Sequence, residues 1–274
     1  MDFSTFVTMK TILIFGAGWL GNAVVEELAS SKHKIIVASR RTISQKTHPN
    51  IEYCKIFFNA QSGAVEFEVP IPQKVNDIIV MLPPTQMIDY AYTIDSICRQ
   101  FSSVEHFIFT SSTGVYDNHS GTVNEDGKLN KVHPVVLAEQ KIQITFPNNA
   151  SILRLAGLIG NDRHPVCYFL KKKINSNGNA PVNLVHRKDI IRALNLLLEN
   201  PRPGIYNLCY PAHPTRSDYY GEIARKIFRT ELAFEDCGEG KVINGSKFAN
   251  TFQYEYEYDI RDIEHLQGIG RDNK

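Results

Sequence analysis

A chain of 274 residues with 43% apolar and 22% charged residues has ordinary globular composition and ample core, which argues against disorder. Its formal charge of +1 offers no field for nucleic acid or an anionic membrane, and no apolar run approaches the ~20 residues that span a bilayer. Five scattered cysteines (Cys54, Cys98, Cys167, Cys209, Cys237) include no CxxC pair, which points away from zinc and disulfides and toward a reducing cytoplasm.

The first eight residues, MDFSTFVT, lack the basic and apolar regions of a secretory signal and read as a short tail ahead of Met9. Short apolar runs then alternate with helical patterns, as in βα units that stack a parallel sheet. Thr11–Phe15 is a buried strand, followed at once by GAGWLG. Leu20, Val24 and Leu28 recur every four residues and predict a helix ending near Ser30–Ser31. Strands follow at Ile35–Ala38, Cys54–Phe58 and Asp77–Leu82, the last stopped by Pro83–Pro84. Met87, Tyr90, Ile94, Ile97 and Phe101 fall at helical steps and predict a helix over 86–101. Phe107–Thr110 is a fifth strand leading into SSTGVY. A helix covers 134–146, and Ser151–Ala156 is a sixth strand ending in GLIG.

Beyond Gly160 the pattern loosens. Arg163 and His164 lie in a polar loop, where they either bind an anionic or hydroxylated substrate or are simply solvated. Lys171–Lys173 reads as a solvated helix face. Val182–Val185 is a strand, and Asp189 is placed to N-cap a helix carrying Ile190, Ile191, Leu194, Leu197 and Leu198. His186 reads as a packing residue. Ile205–Leu208 is one more strand, and the alternating aromatics of 252–258 (FQYEYEY) suggest an edge strand.

Gly16, Gly18 and Gly21 form GxGxxG between a predicted strand and a predicted helix, the context that gives the motif its mechanism. Gly16 turns the chain, Gly18 lets the backbone approach a pyrophosphate, and Gly21 lets helix and strand pack closely. Trp19 and Leu20 open the helix whose N-terminus faces the anion. The second strand ends in Ala38-Ser39-Arg40-Arg41 with no acid, so NADP(H) is favoured over NAD(H). Arginine presents a planar fork of donors matched to a 2′-phosphate. The other reading is two solvated surface arginines.

GAGWLG, VMLPP (80–84), FTSSTGVY (109–116), AEQ (138–140), LRLAGLIG (153–160), VHRKDI (185–190) and IYNL (205–208) together resemble the extended short-chain dehydrogenase/reductases, the NAD-dependent epimerase/dehydratase-like family. GKVINGSKF (240–248) adds to the likeness. The resemblance implies an α/β fold. A Rossmann domain at 9–160, with a doubly wound parallel sheet, would be followed by a smaller substrate-binding part at 161–274, of which 181–209 returns to the Rossmann sheet. It also places Ser111–Thr113, Pro83 and Pro84 beside the nicotinamide, and Ser112 at the family's Ser/Thr position. The family's YxxxK pair is missing. One register puts Leu137 and Lys141 there, another Lys131 and Val135. Tyr116 is then the candidate catalytic phenol, or else the structural tyrosine of the family's VY strand end.

These features support an NADP(H)-dependent oxidoreductase or epimerase acting on a small carbohydrate-like or other carbonyl substrate. A non-catalytic NADP(H)-binding redox sensor is the competing class. No metal site is expected, and no helix-turn-helix or basic stripe supports nucleic-acid binding. Extended members often dimerise through the helices at 86–101 and 134–146. Val135, Val136 and Ile142 would then supply apolar surface, unless they face the sheet.

Overall fold

Strand formation follows the apolar runs closely through the first 115 residues. In a computed structural model, which describes residues 8–41, 48–59, 63–71, 74–84, 89–117, 120–172, 174–263, 266 and 269, the chain runs β1 (Thr11–Phe15), α1 (Trp19–Leu28), β2 (Lys34–Ser39), β3 (Ile51–Phe58), β4 (Val65–Phe67), β5 (Asp77–Val80), α2 (Tyr90–Gln100) and β6 (His106–Ser112). There follow β7 (Gly121–Val123), α3 (Pro134–Thr145), β8 (Ala150–Leu155), β9 (Gly157–Ile159), α4 (Val166–Phe169), β10 (Leu184–His186) and α5 (Arg187–Glu199). The last elements are β11 (Gly204–Leu208), α6 (Arg216–Ile223), β12 (Lys241–Ile243) and α7 (Ser246–Phe252).

Eight strands hydrogen-bond in the order β11-β8-β6-β5-β1-β2-β3-β4. The β1–β2, β1–β5, β2–β3 and β5–β6 pairs are parallel, and the short β4 pairs with β3 in the antiparallel sense. This is a Rossmann-like α/β fold. The strand order reverses between β1 and β5, the point where open α/β sheets leave a crevice for a ligand.

The residues divide into two compact units. The first comprises Met1–Thr110, Lys131–Ile152 and Leu197–Gly204. Its centre is β1, whose Ile12–Phe15 are wholly buried. Phe15, Phe67 and Phe101 meet edge to face at 5.9–6.1 Å. At the start of β5, Asp77 is buried against Lys10 Nζ at 2.9 Å; burial raises its pKa, against the pull of that ammonium. Helices α2 and α3 pack together. Val135, Val136 and Ile142 are 3% exposed or less, so they face inward and offer no dimer surface. The exposed apolar side chains of α3 are Leu137 and Ile144.

The second unit comprises Ser111–Asn130, Leu153–Leu196 and Ile205–Lys274. Two small parallel sheets organise it, β9 with β10 and β7 with β12. The β7–β12 pairing joins 121–123 to 241–243, so residues 111–130 cluster with the C-terminal part and the compact units do not divide at residue 160. Ile159, Val166, Leu184, Tyr219, Tyr220 and Ile223 belong to its core.

Several expectations need correction. Helix α2 begins only at Tyr90, where Asp89 accepts from Tyr92 N; Met87 lies outside the described residues. The Lys171–Lys172 stretch follows the end of α4 and is turn and coil, while Lys173 is outside the described residues. Asp189 is not an N-cap, because α5 already starts at Arg187. Its fully buried carboxylate instead accepts from Glu257 N at 3.0 Å, Tyr258 N at 3.2 Å and Tyr254 Oη at 3.2 Å. Those bonds explain why 252–258 is no strand. Gln253 ends α7 in the left-handed region (φ 51°), and the following amides turn onto Asp189 instead of a ladder partner.

Candidate functional site

The predicted residues fall in both units. In the first, Gly16 (φ 103°) takes a conformation that favours glycine, and a Cβ there would lie 2.7 Å from Met81 O. At Gly21 a Cβ would sit 1.9 Å from Gly16 O, so the turn closes directly on the helix. Gly18 differs: nothing lies within 4 Å of a Cβ built there. It is also the N-cap of α1 and makes no side-chain cap, whereas Asp89, His133 and Thr215 cap α2, α3 and α6. An open, uncapped helix start suits an anion, which the partial positive charge of the helix end attracts. Trp19 and Leu20 form its first turn.

At the end of β2, Ser39 Oγ accepts from Arg41 N at 3.2 Å, and the Arg40 guanidinium lies 5.5 Å from the Phe58 ring centroid. Both arginines are exposed. Pro83 and Pro84, just past β5, are exposed as well, and Tyr90 Oη donates to Leu82 O at 2.7 Å to hold that strand end. On α3, Leu137 and Lys141 share an exposed face; in the other register Lys131 is exposed and Val135 buried. Neither supplies a tyrosine–lysine pair.

In the second unit, Ser111 is buried and Ser112 exposed at the end of β6. Ser112 Oγ accepts from Gly114 N at 3.0 Å, which leaves its own proton available to a substrate oxygen. Tyr116 is 2% exposed. Its Oη donates to Asn207 Oδ1 at 2.6 Å and accepts from Arg154 Nη1 at 3.0 Å. Burial raises its pKa, while Arg154 acts in the opposite direction. Arg154 also donates to Glu125 O at 3.0 Å, and Glu125 Oε1 accepts from Asn207 N at 2.7 Å. Lys241 Nζ donates to Tyr116 O at 3.0 Å. Sequence reasoning missed these partners, although an arginine within a strand as apolar as SILRLA signals an internal acceptor.

The loop after β9 separates its two candidates. Arg163 is exposed, but His164 turns inward and is 5% exposed. His164 Nδ1 accepts from Val166 N at 3.2 Å, so Nε2 carries the proton it gives Tyr219 Oη at 3.1 Å. That hydroxyl passes its own proton to Ile260 O at 2.8 Å. His164 is thus part of the core of this unit. His186 stacks on Tyr258 at 4.2 Å, as its packing reading expects. Among the described residues no three His, Cys, Asp or Glu side chains gather as metal ligands, and no helix is long and apolar enough to cross a membrane.

No protein-family model matches the chain. Protein YeeZ of Escherichia coli K12 is 32% identical over an alignment of 278 residues, covering 91% of this chain and 97% of YeeZ. The chain belongs to the YeeZ family. Solved structures agree on the fold. A functionally unknown conserved protein from Silicibacter pomeroyi superposes with a TM-score of 0.73 at 22% identity, over 94% of this chain and 98% of that one. Bordetella bronchiseptica WbmH, solved with NAD+, gives 0.74 at 14% identity over 96% and 97%. UDP-glucuronic acid 4-epimerase from Bacillus cereus, solved with NAD, gives 0.72 at 15% identity over 94% and 96%. Like these neighbours, the YeeZ-family chain has the fold of the extended short-chain dehydrogenase/reductases, the epimerase/dehydratase-like group.

Proposed function

We propose that this chain binds NADP(H) at the Gly16–Gly21 turn and acts in the cytoplasm as an oxidoreductase or epimerase of the extended type, on a carbohydrate-like or other carbonyl substrate. One observation carries the reading: α1 starts without a side-chain cap, with open space above Gly18 and none above Gly16 or Gly21. The exposed Arg40 and Arg41, in a segment without an acid, favour a 2′-phosphate and hence NADP(H) over NAD(H). Free cysteines at all five positions fit a reducing compartment.

The nicotinamide, when bound, supplies or accepts hydride. Ser112, exposed and with a proton to give, orients the substrate oxygen. Tyr116 does not serve as proton donor in this reading, because its hydroxyl is committed to Asn207 and Arg154 within the core. Water or a substrate hydroxyl moves that proton. The absence of a tyrosine–lysine pair on α3 favours a second reading, a non-catalytic NADP(H)-binding redox sensor.

Titration of intrinsic fluorescence with NADPH and NADH, followed by NADPH oxidation on a carbonyl panel, tests both. Tighter NADPH binding with turnover supports the enzyme; tight binding without turnover supports the sensor. Absence of binding to either cofactor refutes both.

A further inference from the structure

The second unit contains a polar cavity of about 570 Å³, within the size range of small-molecule sites. Ser120, Asn177, Asn183, Arg216, Glu239 and Lys241 line it together with Ala180 and Pro181, and its surface is more polar than apolar. Arg216 is half-buried, and its guanidinium makes no hydrogen bond or ion pair with any described residue. Lys241 is half-buried too; its ammonium donates to a neutral carbonyl, Tyr116 O, at 3.0 Å, lies 6.0 Å from the Tyr116 ring, and feels the Asp117 carboxylate only from beyond ion-pairing distance. Among the described residues neither cation has a carboxylate within ion-pairing distance. Partial burial of two unpaired cations is unfavourable, and an anion between them would relieve it.

The surrounding groups narrow the chemistry. The N-terminus of α6 is not the attractor, since its first amides already donate to Ala180 O, Gly178 O and Thr215 Oγ1. Asn183 is also spent, donating to Lys241 O and accepting from Ile243 N. Asn177 is not: it sits in the left-handed region (φ 58°), and its side-chain amide makes no hydrogen bond with a described residue. Two cations against the single carboxylate of Glu239 leave the lining net positive. A fork of donors, an ammonium and neutral amide and hydroxyl donors suit the several oxygens of a phosphate dianion better than one carboxylate.

We propose that this cavity binds a small phosphorylated molecule, with its phosphate held by Arg216 and Lys241 and weakened by Glu239. All of its residues belong to the second unit, so the inference does not depend on the cofactor reading. Calorimetric titration of the full chain with inorganic phosphate, and with citrate as a carboxylate control, tests it. Arg216→Gln breaks no bond within the fold and should weaken phosphate binding about 10- to 100-fold, the loss expected for one charge-assisted contact. Glu239→Gln should strengthen binding several-fold. The proposal is overturned if the wild type binds no phosphate in the millimolar range, or if neither substitution changes the affinity. It is overturned equally if citrate binds as tightly as phosphate.

Discussion

Three glycines in one turn make opposite demands, so substituting them one at a time separates binding from folding. At Gly18 the backbone is extended (φ −85°, ψ −162°), a conformation open to any residue, and an added Cβ meets nothing within 4 Å. Gly18→Ala or Gly18→Val therefore costs the fold only the small preference for glycine over these residues at an N-cap, about 1 kcal/mol or less. The side chain would project into the open space where the pyrophosphate is expected. Losing one or two charge-assisted contacts at ~1.5–3 kcal/mol each lowers cofactor affinity by at least one to two decades. Gly21→Ala does the reverse. Its Cβ would sit 1.9 Å from Gly16 O, backbone that cannot swing away, and overpacking of this kind costs ~1–3 kcal/mol or more. Chemical denaturation and NADPH titration on the same three proteins provide the assay. The expected pattern is a stable Gly18→Val that does not bind and a destabilised Gly21→Ala. A folded Gly18→Val that binds NADPH normally would falsify the phosphate site, and an unperturbed Gly21→Ala would refute the packing argument.

Replacing Arg40 and Arg41 together by alanine should lower NADPH affinity by about one to two decades and leave NADH affinity unchanged; equal losses for both would remove the basis for NADP preference. His106 should set a pH limit on stability. Its Nε2–H goes to Ser151 Oγ, whose own proton goes to Arg202 O, so Nδ1 is a buried lone pair with no partner among the described residues. Burial lowers its pKa to about 4, against ~6.5 for a free imidazole. The unfolded chain then binds more protons between those values, so stability present above pH ~6.5 is lost as pH falls to ~4, by about 3 kcal/mol at most. Denaturation midpoints across that range check it, and His106→Asn should flatten the slope; an unchanged slope would assign the loss to other groups.

How far the sequence could be read depended on element length and on where each partner lay. The strand at Thr11–Phe15 and the turn after it were legible because a run of apolar residues and three glycines act within eleven positions. Strands β4, β7, β9 and β12 have three residues each, too few to show a period, and β7 pairs with a segment 120 positions away. Asp189 was misread because an acid near a helix start looks the same whether it caps the helix or serves a distant loop. Only the amides of Glu257 and Tyr258 distinguish the two. The tyrosines of 252–258 alternate as in a strand, yet Tyr254 is buried to reach Asp189. His164 looked like a loop residue because Tyr219, which draws it inward, lies 55 positions on.

Tyr116 is where structure most changes the chemistry expected from sequence. From its position just past a strand end, a phenol four residues beyond Ser112 looks ready to exchange a proton at a ligand. The fold uses it otherwise. Its hydroxyl donates to Asn207 and accepts from Arg154; Arg154 also donates to the Glu125 backbone oxygen and the Asn207 backbone N–H to the Glu125 carboxylate, so the four residues form one connected polar network. Tyr116→Phe leaves Asn207 Oδ1 and an Arg154 N–H unsatisfied in a buried site, which costs about 1–3 kcal/mol. The variant should therefore unfold at lower denaturant while keeping its NADPH affinity, and any turnover should persist under conditions where it is folded. Ser112→Ala should show the converse, with reduced turnover and at most the small stability loss of one exposed cap bond, that from Gly114 N. General-acid loss typically lowers rate by ~10²–10⁴. A Tyr116→Phe protein as stable as the wild type but slowed to that extent would mean that the phenol does carry the proton, and that the network opens when substrate binds.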